Sequence, residues 1–229
     1  MADFDRTNPS RLLIEMREYW QSLRQGRAIP ARSEIEPRSI HRSLDYAFIL
    51  ERIAPGAARF RLAGRHLIDL MGMEVRGMPL CAVLNPSSRG RLSDVLESVF
   101  KAPQIVEMTL TARGEYARPE LHGKMLLLPL KSDLGDVTRA LGCLISDGEL
   151  GVAPRRFDLV SETITPVVPG GTVLKPSPSM YGLSGPQSGA LAGATARKKP
   201  QPSPRARITE ADSPEQRRAM FRVVADGQA

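Results

Sequence analysis

The spacing of apolar positions changes along the chain, and each change marks an element. Leu12, Met16, Tyr19, Trp20 and Leu23 recur at helical spacing on one face, while Arg11, Glu15, Glu18 and Arg24 fall largely elsewhere on the wheel. Asn8 then Pro9 supplies a cap residue followed by proline at the first helical position, and Gly26 and Pro30 end the helix. A lone amphipathic helix cannot bury its stripe against itself. Those five apolar residues are therefore a candidate interaction face. After a connector, residues 45–52 (DYAFILER) read as a strand, Pro55-Gly56 as a turn, and residues 58–63 as a second strand. In the second strand Arg59 and Arg61 alternate with Phe60 and Leu62, so the pair forms a hairpin.

Gly64 breaks the second strand, and residues 65–71 make a short helix stopped by Gly72. Asn85-Pro86 repeats the cap-plus-proline signature and opens a longer helix that carries Leu92, Val95, Leu96 and Val99 on one face, up to Pro103. In residues 104–113, Val106, Met108 and Leu110 alternate with Glu107, Thr109 and Thr111. Residues 122–130 and 137–147 are more continuously apolar, the signature of strands covered on both faces. The order predicts an α+β domain: a five-stranded antiparallel sheet with helices on one face and the N-terminal amphipathic helix covering the other. The predicted divisions are residues 1–43 (helix and connector), 44–150 (core), 151–207 (disordered linker) and 208–229 (basic tail with a short helix). Residues 157–168, placed in the linker, read as one more extended segment.

Beyond residue 169 the chain is rich in Pro, Ser, Gly and Ala, too poor in apolar groups to offset the entropy of ordering. Ser213-Pro214-Glu215-Gln216 then resembles a capping box that opens a helix over 214–224, mixing Arg217, Arg218 and Arg222 with Met220, Phe221, Val223 and Val224. Charge follows the same division. The chain carries a net +7, yet residues 1–150 hold 21 Lys/Arg against 19 Asp/Glu, and residues 151–229 hold 11 against 6. The core is nearly neutral and the basic character belongs to the tail. This disfavours nucleic acid as a partner of the core. The run Arg197, Lys198 and Lys199 leaves an alternative reading, a nucleic-acid- or membrane-associated regulator acting through its tail.

Nothing approaches the roughly 20 apolar residues of a transmembrane helix, and the acidic start, without an apolar stretch, does not read as a secretory signal. Two cysteines without paired spacing, Cys81 and Cys143, fit a reducing cytoplasmic compartment.

Several short motifs, in order, carry a family resemblance. Tyr19-Trp20 followed by the segment PARSEIEP (30–37) resembles the entry segment of the alphaproteobacterial PAS family known as PAS_5, formerly a domain of unknown function. The segment RFRLAG (59–64) resembles its second-strand signature, and Gly72, Glu74 and Gly77 its glycine-spaced loop. The resemblance covers roughly residues 10–150 and implies a PAS-like fold and a role in signalling, as a sensor or protein-interaction module. The implied partners are a second copy, as a homodimer, or another signalling protein acted on in trans.

Catalytic and cofactor chemistry finds little footing. Nucleophilic hydrolysis needs a base held by a carboxylate, yet His41, His66 and His122 are scattered, with no G-x-S-x-G, no P-loop and no metal-ligand spacing. The expectation is a protein without enzymatic activity. Flavin-binding, light-sensing PAS modules carry a reactive Cys in an Asn-Cys-Arg-Phe-Leu-like segment, whereas Cys81 is followed by Ala82, Val83 and Leu84. The cofactor stays unknown, with none expected. Haem would need His66 as its axial ligand, and a small molecule is left open. Between sheet and helices, the candidate ligand cavity is lined by Arg61, His66, Met71, Met73, Met78, Val95, Val99, Met108 and Leu110. The strand alternation opposes one of these, since it aims Arg61 with Arg59 at solvent.

Overall fold

The computed structural model describes residues 9–168. The basic run at 197–199, the helix expected over 214–224 and the tail beyond 168 lie outside the described residues. Helix α1 spans Pro9–Arg24. Two short 3-10 turns, Arg32–Glu34 and Pro37–Ile40, lead into strands β1 (Ala47–Ala54) and β2 (Ala57–Ala63). Helix α2 (Arg65–Met71), a 3-10 turn (Leu80–Val83) and helix α3 (Pro86–Lys101) follow. Strands β3 (Gln104–Ala112), β4 (Leu121–Leu130) and β5 (Arg139–Asp147) complete the predicted set.

The sheet has six strands where five were expected. Its order is β2-β1-β5-β4-β3-β6, with every neighbouring pair antiparallel. The extra strand is β6, Asp158–Pro166, from the segment assigned to the linker. It pairs with β3 along nearly its whole length, from Gln104 opposite Pro166 to Thr111 opposite Asp158. The segment reads as extended, but its composition (DLVSETITP) gives no sign that it joins the sheet, because a half-exposed edge strand needs few large apolar side chains. Side chains also fasten it to α3: Arg91 pairs with Glu162, and Ser87 donates to Asp158 at 2.9 Å.

The sheet is apolar on both faces, and two separate cores result. On the inner face Phe48, Leu50, Phe60, Val106, Met108, Met125 and Leu127 pack with α2, α3 and the Leu80–Val83 turn. On the outer face Ile49, Leu126, Leu128, Leu141, Cys143 and Ile145 pack with Leu12, Leu13, Met16 and Trp20 of α1. Alternate residues of β4 and β5 thus enter opposite cores, as the continuous apolar runs predicted. Trp20 is fully buried, and its indole N–H donates to the Pro129 carbonyl at 2.9 Å. That bond ties α1 to β4 across 109 residues of chain. Among the described residues, no helix is long and apolar enough to cross a membrane.

Trp20→Phe keeps most of the buried area but leaves the Pro129 carbonyl without its donor. Denaturant unfolding should show a loss of about 1–3 kcal/mol, the cost of an unsatisfied buried acceptor. An unchanged midpoint would mean that the hydrogen bond does not hold the helix in place.

Candidate functional site

The inner face was expected to enclose a ligand cavity, and the structure distributes the nine candidate residues unevenly. Val95, Val99, Met108 and Leu110 are buried in the inner core, Met71 lies with them, and Met78 packs against them from its edge. Glycine on β5 helps to fill this core. A Cβ at Gly142 would lie 2.1 Å from the Phe48 ring, so that ring occupies the space a side chain would take. Phe48 in turn meets Phe60 edge-on, with ring centroids 5.4 Å apart. These rings pack at the centre of the inner face, among the buried candidate residues.

Met73 stays outside, 56% exposed. Arg61 stays outside as well. The β1–β2 register shifts between Ile49 and Leu50, pairing Ile49 with Leu62 and Leu50 with Phe60. The irregularity leaves Arg61 unpaired in the ladder and exposed, so its charge meets solvent and Glu51 rather than the core.

His66 sits at the start of α2. Its Nε2 lies 3.0 Å from the Ser146 hydroxyl on β5, and its ring lies 4.9 Å from that of Tyr46. Burial pulls its pKa down from the usual 6.5 to about 4, against the opposing pull of Asp69 and Asp45. With its ring nitrogen engaged by Ser146, His66 joins α2 to the sheet and is not presented as a metal ligand. Among the described residues, no group of three His, Cys, Asp or Glu is arranged to hold a metal ion.

The five α1 residues expected to form an interaction face serve the fold instead. Leu12, Met16 and Trp20 are buried against the outer face of the sheet. Tyr19 packs beside them and accepts a hydrogen bond from the Glu36 N–H at 2.8 Å, and Leu23 is partly buried.

The surface left open lies beside α1. The helix packs over β4 and β5, and among the described residues the outer side of β2 is left largely uncovered. An apolar recess of about 240 Å³ opens there, lined among others by Ile35, Ile40, Leu44, Ile49, Leu62 and Leu141. Leu62 is 50% exposed and Leu44 44%. One step further along the strands the same face turns charged. Ile49 pairs with Leu62 and Leu141, and Glu51, two residues on, pairs with Arg59 and Arg139. The Glu51 carboxylate accepts from Arg59 at 2.9 Å, meets Arg139 at 2.8 Å and has Arg61 at 3.4 Å. The Arg59 hydrogen bond, with Arg139 and Arg61 close by, holds its carboxyl below the ordinary carboxylate range against the opposing effect of burial. One carboxylate thus balances three guanidinium groups, leaving two positive charges beside an apolar recess. The alternation in β2 pointed to solvent-facing arginines, but joining Glu51 and Arg139 to them requires the strand register.

A family model described as PAS_5, a PAS domain, matches residues 8–145. Among solved structures the chain is similar to the light-state structure of the blue-light photoreceptor Aureochrome1 LOV, at 12% identity and a TM-score of 0.35, over 49% of this chain and 88% of that one. The dark structure of the same photoreceptor gives 14% identity and a TM-score of 0.37, over 49% and 82%. A structure described for a flavin analogue and the Light-Oxygen-Voltage domain mechanism gives 16% and 0.35, over 49% and 84%. No curated protein has a matching sequence.

The environment of His66 sets a pH dependence. Its folded pKa of about 4 lies below the unfolded value near 6.5, so the unfolded chain takes up the proton first. The contribution to stability is full above about pH 6.5, falls as pH drops through the window to 4, and levels off below it. Between pH 6.5 and 5 this amounts to about 1.5 kcal/mol. Urea unfolding across that window should show the slope in the unmodified chain and lose it in His66→Asn. Equal slopes in both would contradict this account of His66.

Proposed function

Because the chain belongs to the PAS_5 family of PAS domains, a family of sensory and signalling modules, we propose that it is a protein-interaction module that acts in trans and catalyses nothing itself. The observation that carries this reading is the apolar recess open on the outer face beside surplus positive charge. Phe48, lying over Gly142, takes up part of the inner core with a side chain of the protein itself. The recess beside Leu44 and Leu62 exposes aliphatic surface that a folded domain normally covers.

Its charge indicates the occupant. The row of Glu51, Arg59, Arg61 and Arg139 carries a surplus of positive charge along one border of the recess. The matching partner is a segment of another signalling protein with an aliphatic anchor and acidic residues close to it in sequence. Burying the anchor supplies affinity, and the guanidinium groups supply orientation and a faster encounter. A second copy would bring another arginine-rich border rather than acidic residues to the recess, so it is a poorer match. Cys81 and Cys143 are unpaired, which supports a reducing, cytoplasmic setting.

Selection from a displayed peptide library against the full chain should enrich sequences with a Leu or Ile followed closely by Asp or Glu. Leu62→Glu, at an exposed position, should weaken the selected peptides about tenfold or more while leaving the thermal midpoint nearly unchanged. Equal binding to Leu62→Glu would remove the recess from the account. Light scattering after gel filtration supplies the other arm: a dimer that Leu62→Glu dissolves would make a second copy the occupant and overturn the acidic-partner assignment.

A further inference from the structure

A second pocket, of about 150 Å³, has the opposite character. Its lining includes Asn85 and Asp158, the segment after β3 with Arg113, Glu115 and Arg118, and the segment before β6 with Arg155 and Arg156. Four guanidinium groups therefore share one small polar space with two carboxylates.

Both carboxylates are poorly placed to neutralise the arginines. Asp158 faces the start of α3, accepting from Ser87 at 2.9 Å and from Ser88 at 3.4 Å. Glu115 is mostly exposed and reaches Arg118 only at 3.6 Å. Among the described residues, Arg113, Arg155 and Arg156 make no ion pair with a carboxylate.

Arg155 is the unusual member, since only 2% of it is exposed. Its guanidinium donates to the carbonyls of Leu150 and Pro119, and its backbone N–H donates to Leu70 at 2.7 Å. These contacts satisfy hydrogen bonds without supplying negative charge, and a buried charge without a counter-ion is costly. Burial first, and then Arg118, disfavour its charged form, while Glu115 favours it only partly. The backbone holds the group in place. Val152 donates to the Ala117 carbonyl at 3.1 Å, and the Arg118 side chain donates to the Val152 carbonyl at 3.1 Å. Arg156 is oriented by the Ala82 carbonyl at 3.2 Å.

We propose that this pocket binds a small phosphate-class oxyanion, inorganic phosphate or a phosphomonoester, between Arg113, Arg155 and Arg156. Guanidinium forks match the geometry of a phosphate. The volume lies below the roughly 300 Å³ at which ordinary small-molecule sites begin, which suits a compact anion. The site is independent of the recess at Leu62, so either assignment can fail alone.

The test is a phosphorus NMR titration of the full chain at constant ionic strength, with inorganic phosphate in one arm and methyl phosphate in the other. The double variant Arg113→Gln/Arg156→Gln alters two exposed side chains and leaves the buried Arg155 in place, so its circular dichroism and thermal midpoint should match the unmodified chain. Saturable binding at millimolar concentration or below, weakened about tenfold or more in the double variant, is the expected result. Tighter binding in one arm identifies the source, free phosphate or a monoester. Failure to saturate in both arms, or equal binding by the double variant, overturns the proposal.

Discussion

A sheet that is apolar on both faces cannot stand with one face wet, and the rest of this structure follows from that constraint. The central strands β4 and β5 send alternate side chains into two cores. Helices α2 and α3 cover the inner one. The outer one depends on α1, a helix before the sheet in sequence that must be brought back across it. Trp20 does this most directly, being fully buried and donating its indole N–H to the carbonyl of Pro129. Proline offers no N–H of its own but has a carbonyl, and a buried carbonyl needs a donor. Burial and hydrogen bonding thus select the same place for α1.

Among the described residues that cover is incomplete. The two 3-10 turns after α1 bring Ile35 and Ile40 beside β1, but Leu62 on the edge strand β2 is left half exposed. Two residues further along the sheet, Glu51 gathers Arg59, Arg61 and Arg139. An apolar recess next to surplus positive charge suits recognition of another protein better than further packing within this one. On the inner face, by comparison, the Phe48 ring lies over Gly142.

Much of the fold can be read from local patterns, because most elements announce themselves locally. Period and capping residues locate α1, α3 and the first five strands to within about two residues, and continuous apolar runs in β4 and β5 imply the second cover. Strand β6 reads only as an extended segment in the linker, and its place in the sheet is not legible because its outward positions carry little apolar signal. Ser161, Thr163 and Thr165 give pairing without hydrophobic contrast, and the nearby change in composition masks it. The functional surfaces are harder still. Glu51 and Arg139 are 88 residues apart in sequence and meet only through the β1–β5 register. Arg155 looks like an ordinary charge in a proline-flanked stretch until the fold buries it. Periodicity reports which face a side chain takes, but not which distant residue shares that face.

The central proposal is that this PAS domain works by its surface and keeps no ligand in its inner core. Native mass spectrometry of the freshly purified full chain tests it most directly. The account predicts the mass of the polypeptide alone, with no organic molecule bound in stoichiometric amount. A retained small molecule, released only on unfolding, would contradict it.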